Sequence, residues 1–245
     1  MSRNLLLSGG PLHDFAATGD QLVRILSDES IDTVRVEHPD AAFALLRASL
    51  EGEIDPFDMV TVAALRWRME LARHEPHRST WAYDVRPEDL TLLDEFVRSG
   101  GGLLALHTAV ICFDGDPLWR GLCGAVWDWN ASRHPTLGPA EIRVTPAGRV
   151  DPIVGDIDDF VIEDEIYGFL DDEGSDCALL TSRHHNRDHP VLWARRVGAG
   201  RVVVDLLGHG TASFDHGTHR DILRRAAAWL LDRRPAPDAP TGSHR

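Results

Sequence analysis

Lysine is absent from the 245 residues, so all 25 side chains in the Lys+Arg total are arginines. That excludes a lysine Schiff base and the lysine of a phosphate-binding P-loop. Cysteine is scarce: Cys112, Cys123 and Cys177 make neither a CxxC pair nor the even set of a disulfide framework, which points to a reducing compartment. Long apolar runs are also missing. The run Asn4 to Ser8 stops at Gly9-Gly10-Pro11, too short for a signal peptide, and the run Leu103 to Phe113, interrupted by His107, is too short to span a bilayer. These features predict a cytoplasmic protein with no membrane partner. Positive charge is in deficit, 25 against 39 acids for a formal net charge of -14, which opposes phosphate backbones and argues against nucleic acid. No GxGxxG, GxSxG or HExxH is present, so dinucleotide, α/β-hydrolase and zincin readings lose their main support.

What is present is enough apolar material, 43% of residues, for one sizeable core. Residues 1–232 read as a single α/β domain. The proline-rich stretch 233–245 has no apolar periodicity and is expected to be disordered. Strands are expected at Asn4 to Ser8, Ile31 to Val36, Phe57 to Ala63 and Leu103 to Leu106, with helices at Gln21 to Leu26, Ala41 to Leu50 and from Pro87 to Val97 between them. Such alternation implies a doubly wound, mostly parallel sheet flanked by helices. The segment Arg66 to Tyr83 reads as a loop or broken helix of open role, and the stretch Trp119 to Glu165 is less regular, with strands at Ile142 to Thr145 and Phe160 to Ile162. Ala178 to Thr181, Val191 to Val197 and Arg201 to Leu207 read as strands. The last two form a C-terminal β-hairpin, followed by a closing helix His219 to Leu231.

Ligands bind beyond the carboxyl ends of strands in open α/β sheets, so polar residues at strand exits are site candidates. His107, Glu165 and His209 each follow a predicted strand. Singly, each histidine reads equally well as a strand-end cap; the trio favours one shared site. Histidine can move a proton near neutrality, and a carboxylate can orient it, so the three are the catalytic candidates. The same trio, with His134 as a fourth candidate, could ligate a divalent metal such as zinc. His13, His134, Asp164 and Tyr167 are candidate substrate-binding residues. His184, His185, His189 and Asp188 read as a solvated polar loop, and Asp156, Asp158 and Asp159 lack the offsets of a calcium loop. Gly121-Leu122-Cys123-Gly124-Ala125 is shaped like a nucleophile elbow but follows a helix-like stretch, so Cys123 reads as core.

Gly9-Gly10 with His13-Asp14-Phe15, then Gly100-Gly101-Gly102-Leu103-Leu104-Ala105-Leu106-His107, Asp164-Glu165-Ile166-Tyr167, Pro190-Val191-Leu192-Trp193, Gly198-Ala199-Gly200-Arg201 and Leu207-Gly208-His209, in that order, resemble the ThuA-like (trehalose utilisation) family over nearly the whole chain. The resemblance implies a class I glutamine amidotransferase-like, flavodoxin-like fold and a part in trehalose or related disaccharide utilisation. It does not imply amidotransferase activity: where the amidotransferases carry a cysteine after the corresponding strand, this chain has His107, and His209 falls near the place of their catalytic histidine. The chain departs from the family at Asp151-Pro152-Ile153, where the family often has His-Pro-Ile.

The leading expectation is a sugar-modifying enzyme, a hydrolase, lyase or isomerase acting on a disaccharide or its keto derivative. The competing one is a non-catalytic carbohydrate-binding or regulatory module, with Trp81, Trp119, Trp127 or Trp129 stacking on a sugar. Ranked below these are a thiol enzyme using Cys112 or Cys123 and glycoside hydrolysis by a carboxylate pair among Glu163, Asp164 and Glu165. The expected partner is a small-molecule sugar, and a homo-oligomer is compatible with the sequence.

Overall fold

The computed structural model of the chain describes residues 1–172 and 177–232, so the expected disorder of 233–245 lies outside the described residues. The chain opens with β1 (Ser2–Leu7), α1 (Phe15–Asp28), β2 (Ile31–Val36), α2 (Pro39–Leu50) and β3 (Met59–Val62). A 3₁₀ turn (Ala72–His74) leads into α3 (Glu75–Trp81), followed by α4 (Pro87–Arg98) and β4 (Gly102–Leu106). A second 3₁₀ turn (His107–Ile111), α5 (Pro117–Cys123), β5 (Ala125–Val126), β6 (Gly138–Val144), β7 (Phe160–Asp164) and β8 (Asp171–Asp172) come next. The chain closes with β9 (Ala178–His184), β10 (Arg187–Val197), β11 (Gly200–Asp205), α6 (Thr211–Asp215) and α7 (Gly217–Leu231).

Nine strands form one sheet in the order β2-β1-β3-β4-β11-β10-β9-β6-β7. The first five are parallel and the last four extend it antiparallel. Every residue of β3, β4 and β11 is buried, as expected for strands covered on both faces. Helices α1, α6 and α7 pack together on one face, and α2, α4 and α5 on the other. The mostly parallel, doubly wound sheet and the β10–β11 hairpin agree with the sequence expectation.

Local chemistry explains the boundaries. Asp14 caps α1 by accepting from the Ala17 amide at 3.0 Å, so the helix starts six residues before the apolar stripe that announces it. Pro39 and Pro87 open α2 and α4 in the first turn, where a missing N–H costs nothing. Asp116 caps α5, and Gly124, at φ 82°, ends it. The supposed polar loop around His184 is instead a hairpin: β9 and β10 join through His185 and Asn186 alone, both at positive φ, as a tight right-twisted turn demands. The segment Arg66 to Tyr83 is helical over α3 and packs against the carboxyl edge of the sheet, with the Trp67 ring stacked 5.7 Å from that of Trp129. No helix among the described residues is long and apolar enough to cross a membrane.

Candidate functional site

The order of the parallel strands reverses at β1, and ligand sites in such sheets lie outside the carboxyl ends at that point. Three histidines gather there: His13 after β1, His107 after β4 and His209 after β11. Their ring centroids lie 4.6 Å (His13–His209), 5.3 Å (His13–His107) and 5.6 Å (His107–His209) apart. Glu165 joins them from the far end of the sheet. The antiparallel half curls so that the end of β7 returns to the exit of β11, where Asp164 accepts from the amides of Gly208 (2.8 Å) and His209 (3.1 Å). One ligand atom from each of His13, His107, Glu165 and His209 lies within 4.8 Å of the others.

Each member is held in a definite state. His107 sits at φ 48°, a left-handed backbone that few non-glycine residues adopt and that marks a constrained site. Its Nδ1–H donates to the Leu206 carbonyl at 2.7 Å, which leaves Nε2 as a bare lone pair, buried and without a hydrogen-bond partner. The Tyr167 ring stacks on it at 4.6 Å. Burial pushes the His107 pKa down. His13 falls to about 3, through burial first and then the neighbouring His107 and His209; neither of its ring nitrogens has a hydrogen-bond partner. Both rings are therefore neutral and available to a cation at pH 7.

Glu165 is the anionic member. Burial pushes its carboxyl up, but His134 and His209 outweigh that and hold it well below the ordinary carboxylate range. His134 Nδ1 lies 2.9 Å from Glu165 Oε1 and also 2.9 Å from the Pro135 carbonyl. Two acceptors on one nitrogen place the proton there. Glu165 raises the pKa of His134 and, against burial, that of His209, whose Nδ1 lies 3.4 Å from Oε2.

The structure thus brings His107, Glu165 and His209 together and adds His13, which the sequence had offered for substrate contact. His134 stands outside the four-ligand group, on the second oxygen of Glu165. Asp164 is 1% exposed and its oxygens accept three backbone amides, including that of Glu165 at 2.8 Å, so it shapes the loop. The two thiols considered as nucleophiles, Cys112 and Cys123, lie in the core: burial pushes Cys112 up to about 12 and Cys123 up as well.

A cavity of about 430 Å³, of ligand-binding size, opens onto the cluster. Trp67, Trp127, Trp129 and Tyr167 line its wall. Of the tryptophans expected to meet a sugar, Trp119 is instead 1% exposed, its Nε1–H donating to the Ala109 carbonyl, and Trp81 lies under the Arg66 guanidinium. The sequence reading missed Trp67, Arg73, His74 and His77 as lining; the only signal was the aromatic and histidine content of the Arg66 to Tyr83 segment. A larger cavity of about 710 Å³ lies at the amino edge of the strands, beside Phe57, Gly101 and Gly198, but no histidine or cysteine is among its described lining. The histidines and Glu165 converge instead at the smaller cavity.

A family model described as ThuA, trehalose utilisation, matches residues 74–230. Among solved structures, the chain is similar to a ThuA-like protein from Parabacteroides merdae, at 17% identity and TM-score 0.73 over 98% of this chain and 93% of that one. It is also similar to a ThuA-like protein from Bacteroides uniformis, at 13% identity and TM-score 0.68 over 94% and 91%. A third similar structure is a cytoplasmic protein from Salmonella typhimurium, at 13% identity and TM-score 0.60 over 94% and 99%. At these identities the likeness concerns the fold. No curated protein sequence matches the chain.

Proposed function

This chain belongs to the ThuA (trehalose utilisation) family, and from that premise we propose that it is a carbohydrate-utilisation enzyme built around a divalent-cation centre at His13, His107, Glu165 and His209. The observation that carries the reading is the convergence of buried histidine nitrogens, several without any hydrogen-bond partner, on one carboxylate. Unpaired buried polar atoms are costly unless something satisfies them, and an N₃O set suits zinc, manganese or iron. The bound cation would act as a Lewis acid on a carbonyl or hydroxyl oxygen of the sugar.

The chain's own residues have separable parts in this reading. His13 and His107 offer neutral lone pairs because burial keeps them unprotonated. The Leu206 carbonyl holds the His107 tautomer. Glu165 supplies the negative charge and His134 orients it. His134 is half-exposed on the cavity wall with an elevated pKa, and so is placed to give or take a proton. Trp127, Trp129 and Tyr167 offer flat faces to the apolar sides of a sugar ring. The substrate is a disaccharide or keto-sugar, in a cytoplasm whose reducing conditions suit the unpaired cysteines.

The test is elemental analysis of protein purified without a metal-affinity step, for wild type, His107→Ala and His209→Ala. Near-stoichiometric metal in wild type that both substitutions remove is the expected result. Metal-free wild-type protein that still binds or turns over a sugar would defeat the centre and leave the histidines as acid/base or sugar-binding groups.

A further inference from the structure

We propose that the cavity takes a sugar bearing an anionic oxygen group, a carboxylate or a phosphate, and that Arg73 and His74 hold that group. The inference rests on reading the cavity as the substrate chamber of the histidine–glutamate cluster. The 3₁₀ turn and α3 bring Arg73, His74 and His77 to the wall of the cavity that His134 and Glu165 also line.

The hydrogen-bond inventory at His74 does not balance within the protein. The Trp67 Nε1–H donates to His74 Nδ1 at 3.3 Å, and an indole nitrogen can only donate. The lone pair of a neutral His74 is therefore on Nδ1 and its proton on Nε2. Arg73 Nε–H is aimed at that same Nε2, 3.2 Å away, and a guanidinium too can only donate. One neutral imidazole has one lone pair, so one of these contacts sets two N–H groups against each other. Protonating the ring makes matters worse, and burial, ahead of the charges of Arg73 and Arg78, already keeps it below its ordinary pKa. An acceptor oxygen seated beside Arg73 Nε and His74 Nε2 turns the conflict into two hydrogen bonds, one of them charge-assisted.

Among the described residues the only side-chain partner of Arg73 Nε is His74 Nε2; Asp114, the carboxylate that acts on His74 from nearby, is taken up by Arg68 and the Trp129 indole. Among the described residues Arg73 has no carboxylate partner, whereas Arg68 is paired with Glu70 and Asp114. Among the described lining residues the one acid is Glu165, already committed to His134 and His209. His77, one helical turn beyond His74, adds a further donor to the same wall. In a chain of net charge -14, the described lining of this cavity holds an arginine, several histidines and a single committed acid. The subsite also adjoins the aromatic wall: the Arg73 guanidinium lies 5.7 Å from the Trp129 ring and the His74 ring 4.9 Å from it. A hexose stacked on Trp129 would turn a charged substituent toward Arg73.

The experiment titrates glucose, D-glucuronate and glucose 6-phosphate into wild type and Arg73→Gln, following tryptophan fluorescence, with metal content measured on the same samples. Arg73 is exposed, so its substitution leaves the fold intact. The expected result is that one anionic sugar binds wild type roughly ten- to a hundredfold tighter than glucose and that Arg73→Gln abolishes the preference without changing metal content. Preference for glucuronate assigns a carboxylate, and for the phosphosugar a phosphate. Neither anion binding better than glucose, including no binding by any of the three, overturns the inference, as does a preference that survives Arg73→Gln. Metal-free protein with an Arg73-dependent preference would sink the metal centre alone; metal-loaded protein without the preference would sink this subsite alone.

Discussion

Asp164 and Glu165 are adjacent in sequence and carry the same charge, yet burial and partners divide their work. The first spends its oxygens on the amides of Glu165, Gly208 and His209; the second faces two histidines. Because His134 fixes the orientation of Glu165 from outside the ligand group, His134→Ala is expected to weaken metal affinity by roughly 10- to 100-fold without abolishing it, as loss of an outer partner does elsewhere. Competition against a chelator of known affinity measures this. An unchanged affinity would mean that Glu165 needs no orienting partner, or no metal. At this scale His107 and Glu165 could be picked out because each directly follows a strand, and His209 because it lies four residues beyond the end of β11. His13 was legible only as a loop histidine, since nothing in Gly9-Gly10-Pro11-Leu12 tells that the loop turns its ring onto His209, 4.6 Å away.

Among the elements, the turn after β11 matters most, since it supplies both His209 and the Leu206 carbonyl that holds His107. It is fastened from beneath by Asp205, whose Oδ1 accepts from the Leu207 amide at 3.0 Å and whose Oδ2 faces His219 Nε2 of α7 at 3.0 Å, with both side chains fully buried. Burial lowers the His219 pKa, but Asp205 outweighs it and the net shift is upward from 6.5. A raised folded-state value means that the stabilisation is fully present below pH 6.5 and is lost as pH rises through the folded pKa. His219→Asn should therefore cost most at about pH 6, on the order of 3 kcal/mol for breaking a buried pair, and less at about pH 9. Denaturant midpoints of both proteins at the two pH values decide it, and a pH-independent difference would refute the ion pair. The elements themselves were largely readable from periodicity, glycines and prolines. The pairing order of the antiparallel half was not, because β6 and β7 are only partly buried and β6 finds its place by pairing with β9 across a long sequence gap. Nor was the placement of the Arg66 to Tyr83 segment over the site, which depends on Trp67 meeting Trp129.

For the whole molecule, the four candidate ligands come from the exits of β1, β4, β7 and β11, and so join the parallel half of the sheet to its antiparallel extension. A cation held by all four binds the folded chain and has no assembled site in the unfolded one, so its binding energy appears as stability. At a free metal concentration one hundred times the dissociation constant, that linkage is worth about 2.7 kcal/mol. For a domain of this size each kcal/mol moves the melting temperature by roughly 2–4 °C, so removing the metal should lower Tm by roughly 5–10 °C. The net charge of -14 works in the same direction, since it favours cation binding over the approach of polyanions. Thermal melts with and without a chelator, on wild type and His107→Ala, test the linkage. The variant should melt near the chelated wild type and show no further shift, because both have lost the same bridge between the halves. Equal chelator effects on the two proteins would mean that the cation binds elsewhere, and a wild-type Tm indifferent to the chelator would mean that the histidines and Glu165 hold the halves together without it.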